Sequence, residues 1–438
     1  MKVIFLYPEY YEIARFGKKR KEYPPFGVLY LAAIAEQAGY SVSIQSVSND
    51  NTRFDLQKYD VVLYSLSSSC TYSMMKKSRE ESMFSDKVRV VIGGIHASLY
   101  PKESFNEFRA DYLIKGEGEI ALLKILSNIQ SGITDLQVQG VLTALNYSED
   151  IEEAEYVKNL DDIPFPARHL LPEEDIIMTG RLSIRNLKMT HILVSRGCPY
   201  SCFFCGGINK NHRYRSASNV YEELVFLKDK YDIQGFVIND ENFTINKKNV
   251  MSICEKIGQL GLPWSALSRV DTIDEEMLSA MANAHCIELK FGVESGSDTM
   301  LNLMNKRCSV QQATRALELC YKHGIKAKLF LIHGFPGENT FTTNETIDFL
   351  EQNKNRIDRI SLFRWTPLPG SYSYEHADEF GLNKEKLMFN NAIIYSRDNE
   401  WYLDDDYNKM LSDEYARLKK YVDTNINNER KDNNSITY

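Results

Sequence analysis

What this chain lacks narrows its role before any motif is read. It has no apolar run approaching the roughly 20 residues needed to span a bilayer. The opening Met1–Tyr7 stretch is too short, and too soon broken by Pro8, to act as a secretory h-region. No long basic stripe with interleaved aromatics is present and the formal net charge is −8, so nucleic acid is not an expected partner. Cysteine is sparse outside one loop. Cys70, Cys254, Cys286, Cys308 and Cys320 are scattered, several in apolar surroundings, and read as buried free thiols in a reducing cytoplasm. The remaining composition is that of an ordinary globular protein, and 438 residues suffice for two or three domains.

What is present is concentrated in Arg196-Gly197-Cys198-Pro199-Tyr200-Ser201-Cys202-Phe203-Phe204-Cys205. The spacing C-x-x-x-C-x-x-C puts three thiols on one tight loop. Three is an odd number for disulfides and one short of a closed tetrahedral zinc site. It suits an iron–sulfur cube of four irons, in which three thiolates hold three irons and the fourth stays open. A zinc site completed by a distant His or Cys, or plain loop residues, are the competing readings. Context favours the cluster: His191–Ser195 reads as a buried parallel strand, and the cysteines follow at its C-terminal end, where ligands bind in barrels and open α/β sheets.

Residues 1 to about 135 alternate apolar strands (Lys2–Tyr7, Ser41–Gln45, Val61–Ser65, Val88–Ile92, Tyr112–Ile114) with amphipathic helices such as Gly27–Ala38. This pattern predicts an α/β, doubly wound, Rossmann-like parallel sheet. From Thr190 onward strands are expected at His191–Ser195, Gly235–Asn239, Trp264–Leu267, Glu288–Gly292, Lys326–Ile332 and Arg359–Phe363. Between them, Asn159–Arg168 carries two prolines and two aspartates that stop regular structure. The expected organisation is a first domain over 1–140, a linker over 141–185 and a barrel over 186–371. A small helical cap over 372–423 and a disordered tail over 424–438 complete it. Cap aromatics (Phe389, Tyr395, Trp401, Tyr402) either enclose substrate or pack the cap on the barrel.

The cysteine loop, with Phe204 just before its third cysteine, resembles that of the radical S-adenosylmethionine (SAM) superfamily. The resemblance covers roughly residues 190–371. It implies a partial (β/α)6 barrel, a [4Fe–4S] cluster on Cys198, Cys202 and Cys205, and SAM chelated to the open iron and cleaved to a 5′-deoxyadenosyl radical. It also implies roles at the strand ends. Asp240 and Glu241 are candidates for the SAM ammonium or for substrate, and Arg269 for the SAM carboxylate. Glu294 and Ser295 are candidates for the ribose, and Gly334, in Gly334-Phe335-Pro336-Gly337, for the face of adenine. Each piece alone has a plain alternative, a helix cap or a turn; their order behind the cysteine loop gives them weight.

The first third resembles the cobalamin-binding domain that precedes the barrel in one large subfamily. The strings that carry this are Pro24-Pro25-Phe26-Gly27, Gly93-Gly94-Ile95-His96-Ala97 and Lys115-Gly116-Glu117-Gly118, with the serine-rich end Ser65-Leu66-Ser67. The resemblance implies cobalamin contacts at Pro25, Ser65, Ser67, Gly93, Gly94, His96, Gly116 and Glu117. An Asp-x-His-x-x-Gly motif, which supplies a lower histidine ligand in many cobalamin proteins, is missing. The cobalt is therefore expected to lack a histidine below it.

Together the resemblances imply a methyltransferase acting on an unactivated carbon of a small metabolite, through the deoxyadenosyl radical and methylcobalamin. An electron donor such as flavodoxin or ferredoxin would serve it. An oxidative cyclase or rearrangement enzyme with the same cofactors is the second reading, and a non-catalytic cobalamin or iron–sulfur sensor the third. A methylthiotransferase is disfavoured because the first domain holds only Cys70.

Overall fold

The computed structural model describes residues 1–9, 11–13, 19–21, 24–67, 69–133, 137–147, 151–179, 187–207, 209–389 and 400–427. The chain divides into two compact units, one built on Met1–Ile176 and one beginning at Ile177.

In the first unit six strands form one sheet: β1 (Lys2–Pro8), β2 (Ser41–Val47), β3 (Val61–Ser65), β4 (Arg89–Gly93), β5 (Tyr112–Ile114) and β6 (Val141–Leu142). Their order is β2-β1-β3-β4-β5-β6, parallel except for β6. Near-continuous apolar runs such as Val3–Tyr7 and Val61–Tyr64 are buried, as expected for strands covered on both faces by helices. Those helices are α1 (Phe26–Gln37), α2 (Ser69–Glu81), α3 (Ile95–Leu99), α4 (Pro101–Glu107) and α5 (Glu119–Gln130). The order reverses between β1 and β3, so a crevice opens there beyond the carboxyl ends of the strands.

The expected linker over 141–185 is mostly structured. Val141–Leu142 is the sixth strand, and Leu160, Ile163, Ala167, Leu171 and Ile176 are buried in this unit. The Ala167 N–H donates to Leu29 O (3.1 Å), and the Arg168 guanidinium lies over the Phe26 ring. Prolines stop helices here, but the apolar residues between them still need cover. Residues 180–185 of that span lie outside the described residues.

The second unit holds β7 (Met178–Thr179), β8 (Lys188–Ile192), β9 (Gly235–Ile238), β10 (Trp264–Ser268), β11 (Cys286–Glu294), β12 (Lys326–His333) and β13 (Arg359–Arg364), in the order β13-β12-β11-β10-β9-β8-β7. Strands β8 to β13 are parallel and neighbour one another in chain order, with helices between them. This is the partial (β/α)6 barrel that the resemblance implies. One strand is displaced: β8 ends at Ile192, not Ser195. Beyond it the Val194 N–H donates to Asp240 Oδ1 (2.8 Å) and Leu193 O accepts from Arg215 Nη1 (2.8 Å), so side chains replace the ladder. Ser195–Arg196 then pairs with Arg213–Tyr214 in a small antiparallel hairpin.

The C-terminal region is helical where described, and its last helix, α6, spans Asp405–Asn425. Thr424–Asn427, expected to begin the disordered tail, are structured: α6 runs through Asn425 and Ile426 is buried. Asn427 both accepts from Ile360 N–H and donates to Ile360 O (3.1 Å each). Residues 428–438 lie outside the described residues, as do Tyr395 and the Phe389 side chain.

Candidate functional site

The cysteine loop is shaped by its backbone. Gly197 has φ +81°, and a Cβ there would stand 2.6 Å from Asn211 O, so only glycine fits. The Cys198 N–H donates to Asn209 O, the Phe203 N–H to Met304 O, and Phe203 O accepts from both the N–H and the hydroxyl of Ser373. Phe203 and Phe204 pack beside a second core containing Met300, Met304, Phe335, Trp365, Trp401 and Tyr402. The loop is therefore held from three directions.

Burial pushes the Cys198 thiol above its usual range, with the Tyr200 N–H opposing. Two sulfurs accept hydrogen bonds: Cys205 Sγ from Gly207 N–H (3.4 Å) and Cys202 Sγ from Arg269 Nη1 (3.7 Å). Such donors favour the thiolate. Among the described residues no three His, Cys, Asp or Glu side chains are drawn together around a single ion. A cluster does not need that convergence, because each thiolate holds its own iron. The donor set fits a [4Fe–4S] cluster held through three irons.

The strand ends bring the expected groups to this loop, with altered tasks. Asp240 is buried, and both its oxygens are engaged, by Val194 N–H (2.8 Å) and Ser195 Oγ (2.7 Å). Burial pushes its carboxyl up to about 6. It anchors the segment entering the cysteine loop. Glu241 is exposed, close enough to act electrostatically on Cys198 and Cys205, and desolvation holds its carboxyl above the usual range. Arg269 is buried between Asp271, Lys306 O and Cys202, its guanidinium over the Tyr200 ring at 3.7 Å.

Glu294 ends β11 with φ +70°, a conformation rarely held outside glycine and concentrated at functional sites. Its Oε1 accepts from Lys306 Nζ (2.8 Å), both side chains being buried. Burial works against the Lys306 charge, but Glu294 outweighs it and holds the ammonium above its usual range. The Ser295 hydroxyl contacts Thr346 Oγ1 and accepts from Ser297 N–H, so it pins its own turn. Gly334 has φ +94°, and a Cβ there would meet no atom within 4 Å: the position opens onto space at the end of β12.

One group of residues escaped the sequence reading. Met304–Arg307 follows a short helix and carries no recognised motif. Yet Asn305 Nδ2 donates to Ser201 O (2.7 Å), Lys306 O accepts from Arg269, and Asn305 and Arg307 both have positive φ. No signal in the sequence marks this turn: the positive φ of Asn305 and Arg307 emerges only in the fold. In the cap, Trp401 and Tyr402 follow the packing alternative left open for its aromatics, and Tyr407 joins them. Tyr402 OH donates to Gly334 O (2.7 Å), Tyr407 OH to Glu338 O (2.9 Å), and Trp401 Nε1 to Trp365 O (3.2 Å). Trp401 and Tyr402 thus pack the cap on the barrel and brace the glycine turn.

In the first unit, Ser65, Gly93 and the turn after β5 lie side by side at adjacent strand ends. Gly94 has φ +102°, and a Cβ there would stand 2.7 Å from Leu66 O. Ser98 Oγ donates to Gly94 O (3.0 Å) and accepts from Gly116 N–H (2.9 Å), tying the two glycine turns together. Gly116 also has positive φ, at +92°. Pro25 precedes α1, and Glu117 is half-buried beside Gly116. The Ser67 hydroxyl, just beyond the end of β3, is buried with no hydrogen-bond partner among the described residues. His96 is different. Its ring is buried against Tyr72 (centroids 4.0 Å apart) and Tyr100 (5.1 Å), and burial lowers it to about 4. It is a neutral packing group, and its backbone N–H closes the turn on Leu66 O (2.8 Å). The glycine turns and the orphaned serine fit a large, amide-rich ligand such as cobalamin.

Comparison with known proteins agrees with this geometry. Residues 192–350 match the radical SAM superfamily, and residues 15–126 match the B12 binding domain. An uncharacterized methyltransferase, PH0819, of Pyrococcus horikoshii is 30% identical over 371 residues, covering 81% of this chain and 78% of that protein. The anaerobic magnesium-protoporphyrin IX monomethyl ester cyclase of Rubrivivax gelatinosus is 27% identical, covering 79% of this chain and 65% of that protein. The radical SAM methyltransferase TsrM of Kitasatospora setae, solved with cobalamin and a [4Fe–4S] cluster bound, has the same fold: TM-score 0.66 at 16% identity, over 86% of this chain and 75% of that one.

Proposed function

The chain belongs to the B12-binding branch of the radical SAM superfamily, and from that premise we propose that it transfers a methyl group to an unactivated carbon of a small-molecule substrate. The observation that carries the proposal is the pairing, in one chain, of the three-cysteine loop at the mouth of a partial barrel with a glycine-turn B12 domain. Kinship at 30% identity to a protein named an uncharacterized methyltransferase supports methyl transfer. When bound, the cluster and SAM supply a radical that removes a hydrogen atom, and the cobalamin supplies the methyl group.

The chain's own residues bind and orient. Cys198, Cys202 and Cys205 hold the cluster. Glu241, the exposed strand-end carboxylate beside the cysteine loop, would pair with the SAM ammonium. Glu294, steadied by Lys306, takes the ribose, and Gly334 admits the adenine face. Ser295 and Asp240 keep these groups in place. In the first unit Ser65, Ser67, Gly93, Gly94, Gly116, Glu117 and Pro25 line the cobalamin site, and His96 supports its floor. No helix among the described residues is long and apolar enough to cross a membrane. The working location is a reducing cytoplasm, which suits a cluster and the buried thiols Cys254, Cys286 and Cys320. A flavodoxin or ferredoxin delivers the electron.

The test is product stoichiometry. Protein purified without oxygen, loaded with iron, sulfide and hydroxocobalamin, is incubated with SAM, a reductant and candidate metabolites. Methyl transfer yields S-adenosylhomocysteine and 5′-deoxyadenosine in equal amounts with a methylated product. 5′-Deoxyadenosine without S-adenosylhomocysteine favours a cyclase or rearrangement, the reading that kinship to the Rubrivivax cyclase supports.

A further inference from the structure

We propose that Arg269 is a positioning residue for the iron–sulfur cluster, donating to the Cys202 sulfur and raising the cluster's reduction potential, and that it does not grip the SAM carboxylate. The inference rests on the cluster reading of the cysteine loop. A guanidinium grips a carboxylate through two parallel N–H donors on one edge. In Arg269 the Nε–Nη2 edge is already taken by Asp271, at 2.9 Å to Oδ1 and 3.1 Å to Oδ2. Nη2 also donates to Lys306 O (2.6 Å), and Nη1 donates to Cys202 Sγ (3.7 Å). The second edge is therefore divided between a backbone carbonyl and a sulfur. No forked edge remains for a second carboxylate.

The position is over-determined. Arg269 is 5% exposed, and its plane lies 3.7 Å from the Tyr200 ring, within the cysteine loop itself. Lys306, a second buried cation, stands 5.6 Å from the ring of Phe204 between the second and third cysteines. Reducing the cluster adds one electron to the irons and sulfurs that Cys202 helps to hold. An N–H donor and positive charge at a ligating sulfur stabilise that added electron, which makes reduction easier.

The experiment is a potentiometric titration of the cluster-loaded protein without SAM, read by the electron paramagnetic resonance of the reduced cluster, for wild type, Arg269→Gln, Arg269→Lys and Asp271→Asn. Iron content shows that each variant keeps its cluster. The expected result is a more negative midpoint in Arg269→Gln, an intermediate shift in Arg269→Lys, which keeps charge but loses the planar fork, and a smaller shift in the opposite direction in Asp271→Asn, which removes the negative charge that balances the guanidinium. SAM affinity, measured separately by equilibrium binding, stays close to wild type. The proposal is overturned if Arg269→Gln and Arg269→Lys titrate at the wild-type midpoint. It is equally overturned if the midpoint holds while SAM affinity falls by about tenfold or more, the loss expected for a broken bidentate pair. If Arg269→Gln loses iron, the Lys and Asp271→Asn variants decide. Failure of the cluster reading itself is distinct: the wild-type protein would then retain no iron and give no signal.

Discussion

Gly94→Ala is the perturbation whose cost follows most directly from the structure. Gly94 has φ +102° and ψ 178°, a region held almost only by glycine. Forcing alanine there costs about 1–3 kcal/mol in the backbone alone. A Cβ would also stand 2.7 Å from Leu66 O and 3.0 Å from Leu66 C, both backbone atoms without a flexible end to move aside. The Leu66 carbonyl accepts the His96 N–H at 2.8 Å, and weakening that bond adds about 1 kcal/mol. The sum is roughly 2–4 kcal/mol against the first unit, a urea midpoint lower by about 1–2 M for that unit. Gly39→Ala is the control: φ is +86°, but a Cβ there meets no atom within 4 Å, so only the backbone cost applies. The assay follows unfolding by circular dichroism, and cobalamin uptake by the visible spectrum after gel filtration, with iron content reporting on the second unit. Gly94→Ala should lose most cobalamin uptake while keeping iron. Wild-type stability and full uptake in Gly94→Ala would refute the reasoning.

Three further outcomes are expected. Cys198→Ala, Cys202→Ala or Cys205→Ala removes one of the three cluster ligands, so iron retention and SAM cleavage should both collapse with the circular dichroism unchanged. Asp240 is raised in the fold from 3.8 to about 6, so the native state holds its proton where the unfolded chain has lost it. Its contribution is present at low pH and is lost as pH rises between about 4 and 6, by up to ~3 kcal/mol. Asp240→Asn should flatten that part of the stability–pH curve measured by denaturant, and an identical curve would count against it. Tyr402→Phe removes the 2.7 Å hydrogen bond to Gly334 O, should cost about 1 kcal/mol, and should weaken SAM binding with cluster content intact.

How much was legible in the sequence depended on the kind of signal. Strand positions at Val61–Ser65 and Tyr112–Ile114 agree to the residue, because short apolar runs bounded by polar turns leave little freedom. The end of β8 was misplaced because Val194 and Ser195 look like strand residues, and only the fold shows Asp240 and Arg215 taking their partners. The boundary after residue 140 was misplaced for a related reason: prolines mark the end of helices, not of packing. Within the site, residue type predicted location better than task. Asp240 and Arg269 reach the strand ends as expected, yet Asp240 is committed to Val194 and Ser195, and Arg269 to Cys202 and Lys306 as well as to the nearby Asp271. Lys306 was invisible because a buried lysine has no pattern until its carboxylate, Glu294, is placed beside it.

The central claim, one chain holding two metal cofactors, is tested most directly by metal analysis of protein purified without oxygen and incubated with hydroxocobalamin. The account predicts about four irons and one cobalt per chain, with a visible spectrum containing both chromophores. Iron without cobalt would contradict the cobalamin assignment of the first unit, and cobalt without iron would contradict the cluster on Cys198, Cys202 and Cys205.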